Sequence, residues 1–486
     1  MSSARVNGSF RDPSGVVFSW DGIVLRQVNR CYQGEYDHLM RSGLYQRLTD
    51  EKLMLLHKEC GGPAHDKRIA YKILQPEQLA FVSYPYEWSF SQLKDAALLT
   101  LRLQREAMSK GMSLKDASAY NVQFHSGRPA FIDTLSFEFY DESVPWVAYR
   151  QFCQHFLAPL ALMSFKDVGL GQLLRVHLDG VPLPLASKLL PLRTRWDVGL
   201  GLHIHLHARS QLKYADQPEA AERQRKGGGY SRRHLENLIA SLEATVGKLQ
   251  WRGGDTEWAD YYQRNNNYSA EGMSAKEQLV RELLGRIRPQ TVWDLGANTG
   301  RFSRIAATGA RTVVSWDIDP SCVEANYRQV RQQQDAVVVP LLLDLSNPSP
   351  SLGWAHSERP SLLDRGPADN VLALGLIHHL AISNNVPLGD IAAFLARAGR
   401  RALIEWVPKE DSQVQRLLRS RKDIFADYTQ SDFERTFSNS FAIQACRPVA
   451  GTCRVLYLMT ALNDEKAPAS NTSASLGDCA DPLALG

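Results

Sequence analysis

The stretch "VWDLGANTGRFS", Val292 to Ser303, decides the fold. An apolar run meets an acid at Asp294 and then turns through Gly296 and Gly300, with only three residues between them. Glycine at both points allows a tight turn and lets a ligand lie against bare backbone. Asn298 between them tolerates left-handed backbone better than most residues. The spacing G-A-N-T-G is not the G-x-G-x-x-G of a dinucleotide site, so no room for a pyrophosphate is indicated.

Working outward, strands and helices alternate. "TVWDLG", "RTVVSWDID", "AVVVPLLLDL", "ADNVLALGLIHHLA" and "RALIEWVP" contain strands, and "GRFSRIAATGA" and "SCVEANYRQVRQQQ" lie between them as helices. Continuous Val/Leu/Ile runs separated by helices predict a parallel sheet covered on both faces. "FAIQACRPV" and "RVLYLMTAL" are joined too closely for a crossover, so they form a hairpin and the last strand is antiparallel. The expected fold is α/β: a doubly wound, Rossmann-like C-terminal sheet preceded by an α+β accessory domain. Ligands of such sheets sit beyond the carboxyl ends of the strands.

The motifs "DLGANTGRFS", "WDIDP" and "LLLDLS" together resemble those of the class I S-adenosylmethionine-dependent methyltransferases, over about Lys276 to Leu462. The resemblance implies S-adenosyl-L-methionine as cofactor. It places Asp294, Gly296, Asn298 and Gly300 at its methionine part, Asp317 at the ribose hydroxyls and Asp344 beside the adenine. Asp319-Pro320, just beyond Asp317, reads as a helix start. His378, His379 and Glu405 fall at the sheet's carboxyl edge as candidate general bases, each with a structural alternative. Tyr268 is a candidate lid over the acceptor. Trp258, Tyr261 and Tyr262 in the same segment are expected to pack between domains. The chain has neither N-P-P-[YF] nor a Pro-Cys nucleophile, which weighs against DNA as substrate.

In the N-terminal half, "GMSLKDASAYNVQFHSGRPAFIDTLSFE" sets Asp116, Asn121 and Asp133 at a spacing that resembles the core of kinase-like folds. There the first Asp positions a hydroxyl, and the Asn and second Asp hold magnesium. No glycine-rich phosphate loop precedes it, and Lys58 and Lys72 lack the usual strand context. A degenerate kinase-like or unrelated accessory domain is expected rather than an active phosphotransferase. "GVVFSWDGIVLRQV" reads as a hairpin about Asp21-Gly22. "GLHIHLHARS" would place His203, His205 and His207 on one face of a strand, as packing residues rather than a metal site. The whole arrangement resembles a bacterial methyltransferase-like family that includes rhizobial host-specific nodulation proteins.

At 486 residues two or three domains are expected. The division anticipated is a short N-terminus over 1–13, an accessory domain over 14–215 and a linker with a helical approach over 216–273. The methyltransferase domain follows over 274–462, and a disordered tail over 463–486. Lys and Arg number 56 and Asp and Glu 52, a net charge of +4 too balanced to mark a nucleic-acid binder. Seven scattered cysteines form no C-x-x-C pair, and no signal or membrane-spanning run is visible. A cytoplasmic setting is the default, without a membrane partner. The acceptor is a small molecule or a protein. The alternatives are a bifunctional kinase-methyltransferase and a non-catalytic module that binds the cofactor.

Overall fold

The computed structural model describes residues 3–209, 231–251, 268–419 and 421–462. The expected tail over 463–486, Trp258, Tyr261, Tyr262 and most of the expected linker lie outside these residues.

The C-terminal sheet has seven strands. They are β10 (Thr291–Leu295), β11 (Thr312–Asp317), β12 (Val338–Leu342), β13 (Ala368–Ala373), β14 (Gly399–Trp406), β15 (Phe441–Pro448) and β16 (Val455–Ala461). Their spatial order is β12-β11-β10-β13-β14-β16-β15. The first five are mutually parallel, and β16 inserts antiparallel between β14 and β15. The order reverses between β10 and β13, on either side of which the crossovers leave in opposite directions. That gap is the switch point of the sheet.

Side-chain alternation along each strand builds two cores, one per face. Val292, Val313, Leu372, Leu403 and Leu458 point to one face, where helices Ala270–Ile287 and Arg301–Ala307 cover them through Val280, Leu283, Phe302 and Ile305. Their neighbours Trp293, Val314, Val371, Ile404 and Tyr457 point to the other face. The two halves share this second core. The second core continues without interruption into the N-terminal half, through Trp88, Phe90, Leu101, Phe131 and Phe156. Phe81 sets its ring edge-on to Trp293 and Trp316, at 5.8 and 5.6 Å between centroids.

The N-terminal half carries an antiparallel sheet of β1 (Ser3–Arg5), β2 (Gly15–Trp20), β3 (Ile23–Asn29), β4 (His57–Cys60) and β5 (Ala70–Pro76), in the order β1-β2-β3-β5-β4. Two short ladders follow, β6 (Met112–Leu114) antiparallel to β9 (Phe137–Phe139) and β7 (Val122–His125) antiparallel to β8 (Arg128–Phe131). The β2–β3 turn has Asp21 and Gly22 both at positive φ, 47° and 79°. That is the backbone a tight two-residue hairpin requires. The long helix Phe90–Ser109 starts on a capping box, with Ser89 and Gln92 exchanging hydrogen bonds. Helix Arg232–Lys248, expected as an approach to the C-terminal domain, packs instead on the N-terminal half. Its Leu235, Ile239, Leu242 and Val246 join the shared core, and Lys94 Nζ donates to the carbonyls of Gly247 and Leu249. The expected strand at "GLHIHLHARS" is also corrected. Gly201–Leu206 is a wide π-type helical turn, so the three histidines do not share a face. His203 bridges Tyr149 and Ser241, and His205 bridges Ser187 and Thr194.

Polar contacts pin the seam between the halves. Ser91 N–H and Oγ donate to Glu324, Tyr327 Oη donates to Asp95, and Gln92 Nε2 donates to the Pro340 carbonyl. Arg365 is buried there. It donates to both carboxylate oxygens of Glu87 and to the Val82 carbonyl, with its guanidinium 4.7 to 5.8 Å from the ring centres of Phe81, Tyr84 and Trp316. Removing one partner of a buried ion pair strands the other, at a cost of about 3–5 kcal/mol. Glu87→Ala should therefore lower unfolding stability by about that amount in urea titrations. Circular dichroism and tryptophan fluorescence should follow one shared transition, since a continuous core unfolds as a unit.

Candidate active site

The site forms where β10 and β11 end. β10 delivers Asp294 as its penultimate residue, and the chain then turns through Gly296, Asn298 and Gly300 at φ of 75°, 52° and 81°. Left-handed backbone at three alternate positions explains the glycines and the asparagine. The loop is tied to β11: the N–H groups of Gly296 and Ala297 both donate to the Trp316 carbonyl, at 2.9 and 2.8 Å. Asp317, last residue of β11, completes the tie. Its Oδ2 accepts from Asn298 N–H at 2.7 Å and its Oδ1 from Asp319 N–H at 2.9 Å. Asp319 is the N-cap of helix Pro320–Gln333, accepting from Ser321 N–H at 2.8 Å, with Pro320 in the first turn.

A chain of buried hydroxyls and amides holds the loop from below. Ser303 Oγ donates to Asp294 Oδ2 at 2.6 Å and meets Ser315 Oγ at 2.8 Å, and Asn326 Nδ2 donates to Ser315 Oγ at 2.8 Å. A Cβ on Gly300 would stand 2.4 Å from the Asn326 amide oxygen. At Gly296 it would meet only Leu376, at 3.4 Å, so that glycine is required mainly by its φ. Burial pushes the Asp294 carboxyl up to about 6, helped by the charge of Asp317, and burial likewise pushes Asp317 up to about 6. Two buried carboxylates on adjacent strand ends form an electronegative floor beneath a loop of bare backbone. Such a floor suits a ligand carrying positive charge and hydroxyl donors.

Asp344 follows β12 on the same sheet edge, half-buried, with its Oδ1 accepting from Ser346 N–H and Oγ. Beyond the switch point, His378 and His379 follow β13 with ring centres 4.1 Å apart. Burial, reinforced by neighbouring positive charge, drives His378 well below its ordinary range and His379 down to about 4, so both are neutral at pH 7. His378 Nδ1 is buried without a hydrogen-bond partner among the described residues.

Glu405, the penultimate residue of β14, lies inside a buried charge cluster that spacing did not foretell. Lys276 Nζ donates to Glu405 Oε2 at 2.7 Å, Tyr268 Oη donates to Glu405, and Arg454 donates to Tyr268 Oη at 3.2 Å and to Asp411 at 2.8 and 3.2 Å. Burial alone would raise the Glu405 carboxyl, but Lys276 and Arg454 outweigh it and hold it below its ordinary range. Tyr268 is thereby anchored inside the fold, rather than free at a lid.

The N-terminal set is partly brought together. Asp133 accepts from Arg26, Ser136 and Leu135 N–H, and Asn121 Nδ2 donates to Ser136 Oγ at 3.2 Å. Asp116 accepts from Ser118 N–H, in a local turn. Leu135, Val28, Tyr32, Tyr36 and Leu74 pack together against that sheet. Among the described residues no cluster of three or more His, Cys, Asp or Glu could hold a metal. A cavity of about 830 Å3 adjoins the second strand's end, lined by Phe165 and Arg193 from the N-terminal half, by Trp251, and by Asp319 and Ser321.

Comparison with known proteins gives one strong relative. The chain is 37% identical to nodulation protein NoeA of Rhizobium meliloti (strain 1021) over 469 residues, covering 93% of this chain and 95% of that protein. No protein-family model matches. Among solved structures, N-methyltransferase NodS from Bradyrhizobium japonicum WM9 overlaps 40% of this chain and 98% of its own, with a TM-score of 0.29 and 8% identity. Magnesium protoporphyrin IX methyltransferase from Synechocystis PCC 6803 with bound SAM overlaps 43% of this chain and 93% of its own, with a TM-score of 0.28 and 17% identity. Overlaps that partial carry no weight for function.

The Asp294 carboxyl titrates higher in the folded chain than its ordinary 3.8. Its stabilising contribution is thus complete below that value and is lost as pH rises through about 6. Asp294→Asn keeps an acceptor for Ser303 and removes the buried charge. It should gain on the order of 1–3 kcal/mol over the wild type at pH 7.5, shrinking as pH falls toward about 4, in urea titrations at several pH values.

Proposed function

The chain belongs to the NoeA family of nodulation proteins, and from that premise we propose that it is an S-adenosyl-L-methionine-dependent methyltransferase of the class I type, acting on a small-molecule or protein acceptor. The observation that carries the reading is the pair of buried carboxylates, Asp294 and Asp317, flanking a positive-φ glycine loop at the sheet's switch point. The strand order, with an antiparallel β16 inside an otherwise parallel run, supports the class.

Gly296, Asn298 and Gly300 leave space for the methionine part of the cofactor, and Asp294 offers it negative charge. Asp317 already accepts two backbone N–H groups, but a carboxylate has about four acceptor sites. It retains capacity for the ribose hydroxyls. Asp344 sits on the same edge for the adenine. The bound cofactor would supply an electrophilic methyl on a sulfonium, so the protein's task is alignment and removal of a proton. His378 and His379, neutral and on the far side of the switch point, are the groups able to take that proton from an acceptor. Glu405, held ionised between Lys276 and Arg454, has its oxygens engaged by Lys276 and Tyr268 and acts by positioning them. The N-terminal half serves as an accessory unit that covers one face of the sheet. Asp133, engaged by Arg26 and Ser136, argues against an active phosphotransferase there. The six described cysteines are all free thiols, which fits a reducing cytoplasm.

The decisive experiment incubates the protein with methyl-labelled S-adenosylmethionine and cell extract and identifies what acquires label. Cofactor binding without transfer to any component would favour the non-catalytic module. Within this reading, Asp317→Ala removes charge-assisted hydrogen bonds worth roughly 1.5–3 kcal/mol, and calorimetry should show affinity reduced by about ten- to hundredfold. Asp319→Ala removes a helix cap and should cost about 1 kcal/mol of stability with little change in affinity. The reverse pattern would move the ribose contact to Asp319.

A further inference from the structure

The segment Leu183–Arg209 presents large apolar side chains to solvent in one continuous run. Trp196 is 88% exposed, Val198 84% and Leu192 69%, and Leu189, Leu202 and Leu206 are also exposed. Val198, Leu202 and Leu206 recur every four residues through helical turns Val198–Leu200 and Gly201–Leu206, so they form one outward stripe. The inward side of the same turns carries Leu200, Ile204 and Ala208, all buried in the shared core. The stripe is therefore not a misplaced core face. The segment already has one, and its second apolar face is left exposed among the described residues.

Within the segment the charge is predominantly of one sign. Lys188, Arg193, Arg195 and Arg209 are all exposed, and none forms an ion pair among the described residues. Asp197 is the sole acid between Leu183 and Arg209, and its carboxylate is engaged as a helix cap by Leu200 N–H at 2.8 Å. A protein partner of ordinary composition would place mixed charges opposite such a rim. An anionic bilayer offers what both components need: a uniformly negative headgroup layer for the cations and an apolar layer just beneath for Trp and Leu. Tryptophan is enriched at that depth because its ring is apolar and its N–H is polar. Cations next to an anionic surface each contribute about 1 kcal/mol, about fivefold in partitioning.

We propose that the segment Leu183–Arg209 docks the protein peripherally on anionic phospholipid bilayers, with Leu192, Trp196, Val198, Leu202 and Leu206 inserted and Lys188, Arg193, Arg195 and Arg209 at the headgroups. No helix among the described residues is long and apolar enough to cross a membrane, so the attachment is superficial and reversible. Arg193 also lines the cavity beside Asp319, which places the docked surface next to the rim of the candidate active site. The proposal stands independently of methyl transfer.

The test is co-sedimentation of the full chain with vesicles of phosphatidylcholine containing about 30% phosphatidylglycerol, against vesicles of phosphatidylcholine alone, at about 0.1 M salt. Binding to the anionic vesicles is expected, weakening as salt rises. The pair Arg193→Glu and Arg195→Glu should reduce partitioning by at least about thirtyfold. The pair Trp196→Ser and Val198→Ser should reduce it by about tenfold or more. All four residues are exposed, so melting temperatures should match the wild type. Three results would overturn the proposal: no binding to the anionic vesicles, equal binding by the variants, or a lipid-free dimer in sedimentation velocity that the same variants dissociate. The last would assign the face to a second copy of the chain.

Discussion

One carboxylate holds the site in register. Asp317 accepts from the N–H of Asn298 across the gap between two strands and from the N–H of Asp319 within its own turn. The first bond fixes the glycine loop after β10. The second fixes the start of the helix after β11. Without it, two N–H groups at the carboxyl edge of the sheet would have to find other partners, and buried backbone donors are seldom left unpaired. The loop's left-handed residues are tolerable because this anchor, together with the Trp316 carbonyl, determines their positions. The geometry expected to hold a ligand is thus set before any ligand arrives.

Much of this was legible in the sequence because the signals were local. Val292-Trp293, Val313-Val314 and Val371-Leu372 announce strands, since β-branched and large apolar neighbours suit a sheet buried on both faces. Gly296 and Gly300 announce their φ. Asp319-Pro320 announces a helix start. Other features were hidden because they are long-range. Lys276, Glu405 and Arg454 lie on three distant segments, and no spacing rule joins them. The one available signal was the awkwardness of Glu405, an acid at the end of an apolar strand that needs a cation somewhere. The continuity of the second core was hidden too. Trp293 and Phe81 each look like ordinary buried aromatics, and only their edge-on contact shows that the N-terminal half is the cover of the sheet. His203, His205 and His207 misled because alternation is the strand signal, whereas here two of them serve as bridges between helical turns.

That continuity changes how the N-terminal half should be understood. A linked accessory domain would rest against its neighbour through a polar, hydrated interface and move relative to it. Here Arg365 is sealed between Glu87 and three aromatic rings, where a sliding motion would expose a desolvated ion pair. Relative motion of the two halves is therefore expensive. Residues on the N-terminal half that line the cavity beside Asp319, such as Phe165 and Arg193, are fixed parts of those surroundings rather than elements of a mobile clamp.

The same reasoning separates the two groups of buried charge in the C-terminal half. Around Glu405 the charges nearly cancel: Lys276 and Arg454 face Glu405 and Asp411, and Tyr268 completes the hydrogen bonding. Such a cluster is self-sufficient, and it serves to hold the helix Ala270–Ile287 and the start of β16 against the end of β14. Around Asp294 and Asp317 the charges do not cancel. Both carboxyls are raised by burial, and each is raised further by a neighbouring acid. A fold selected for stability alone would replace one of them with a neutral group, because charge buried with a like charge opposes folding. Their placement side by side on adjacent strands suits the cationic, hydroxyl-bearing ligand proposed above. The contrast between a neutralised cluster and an uncompensated pair, within one sheet edge, separates scaffold from candidate site in this protein.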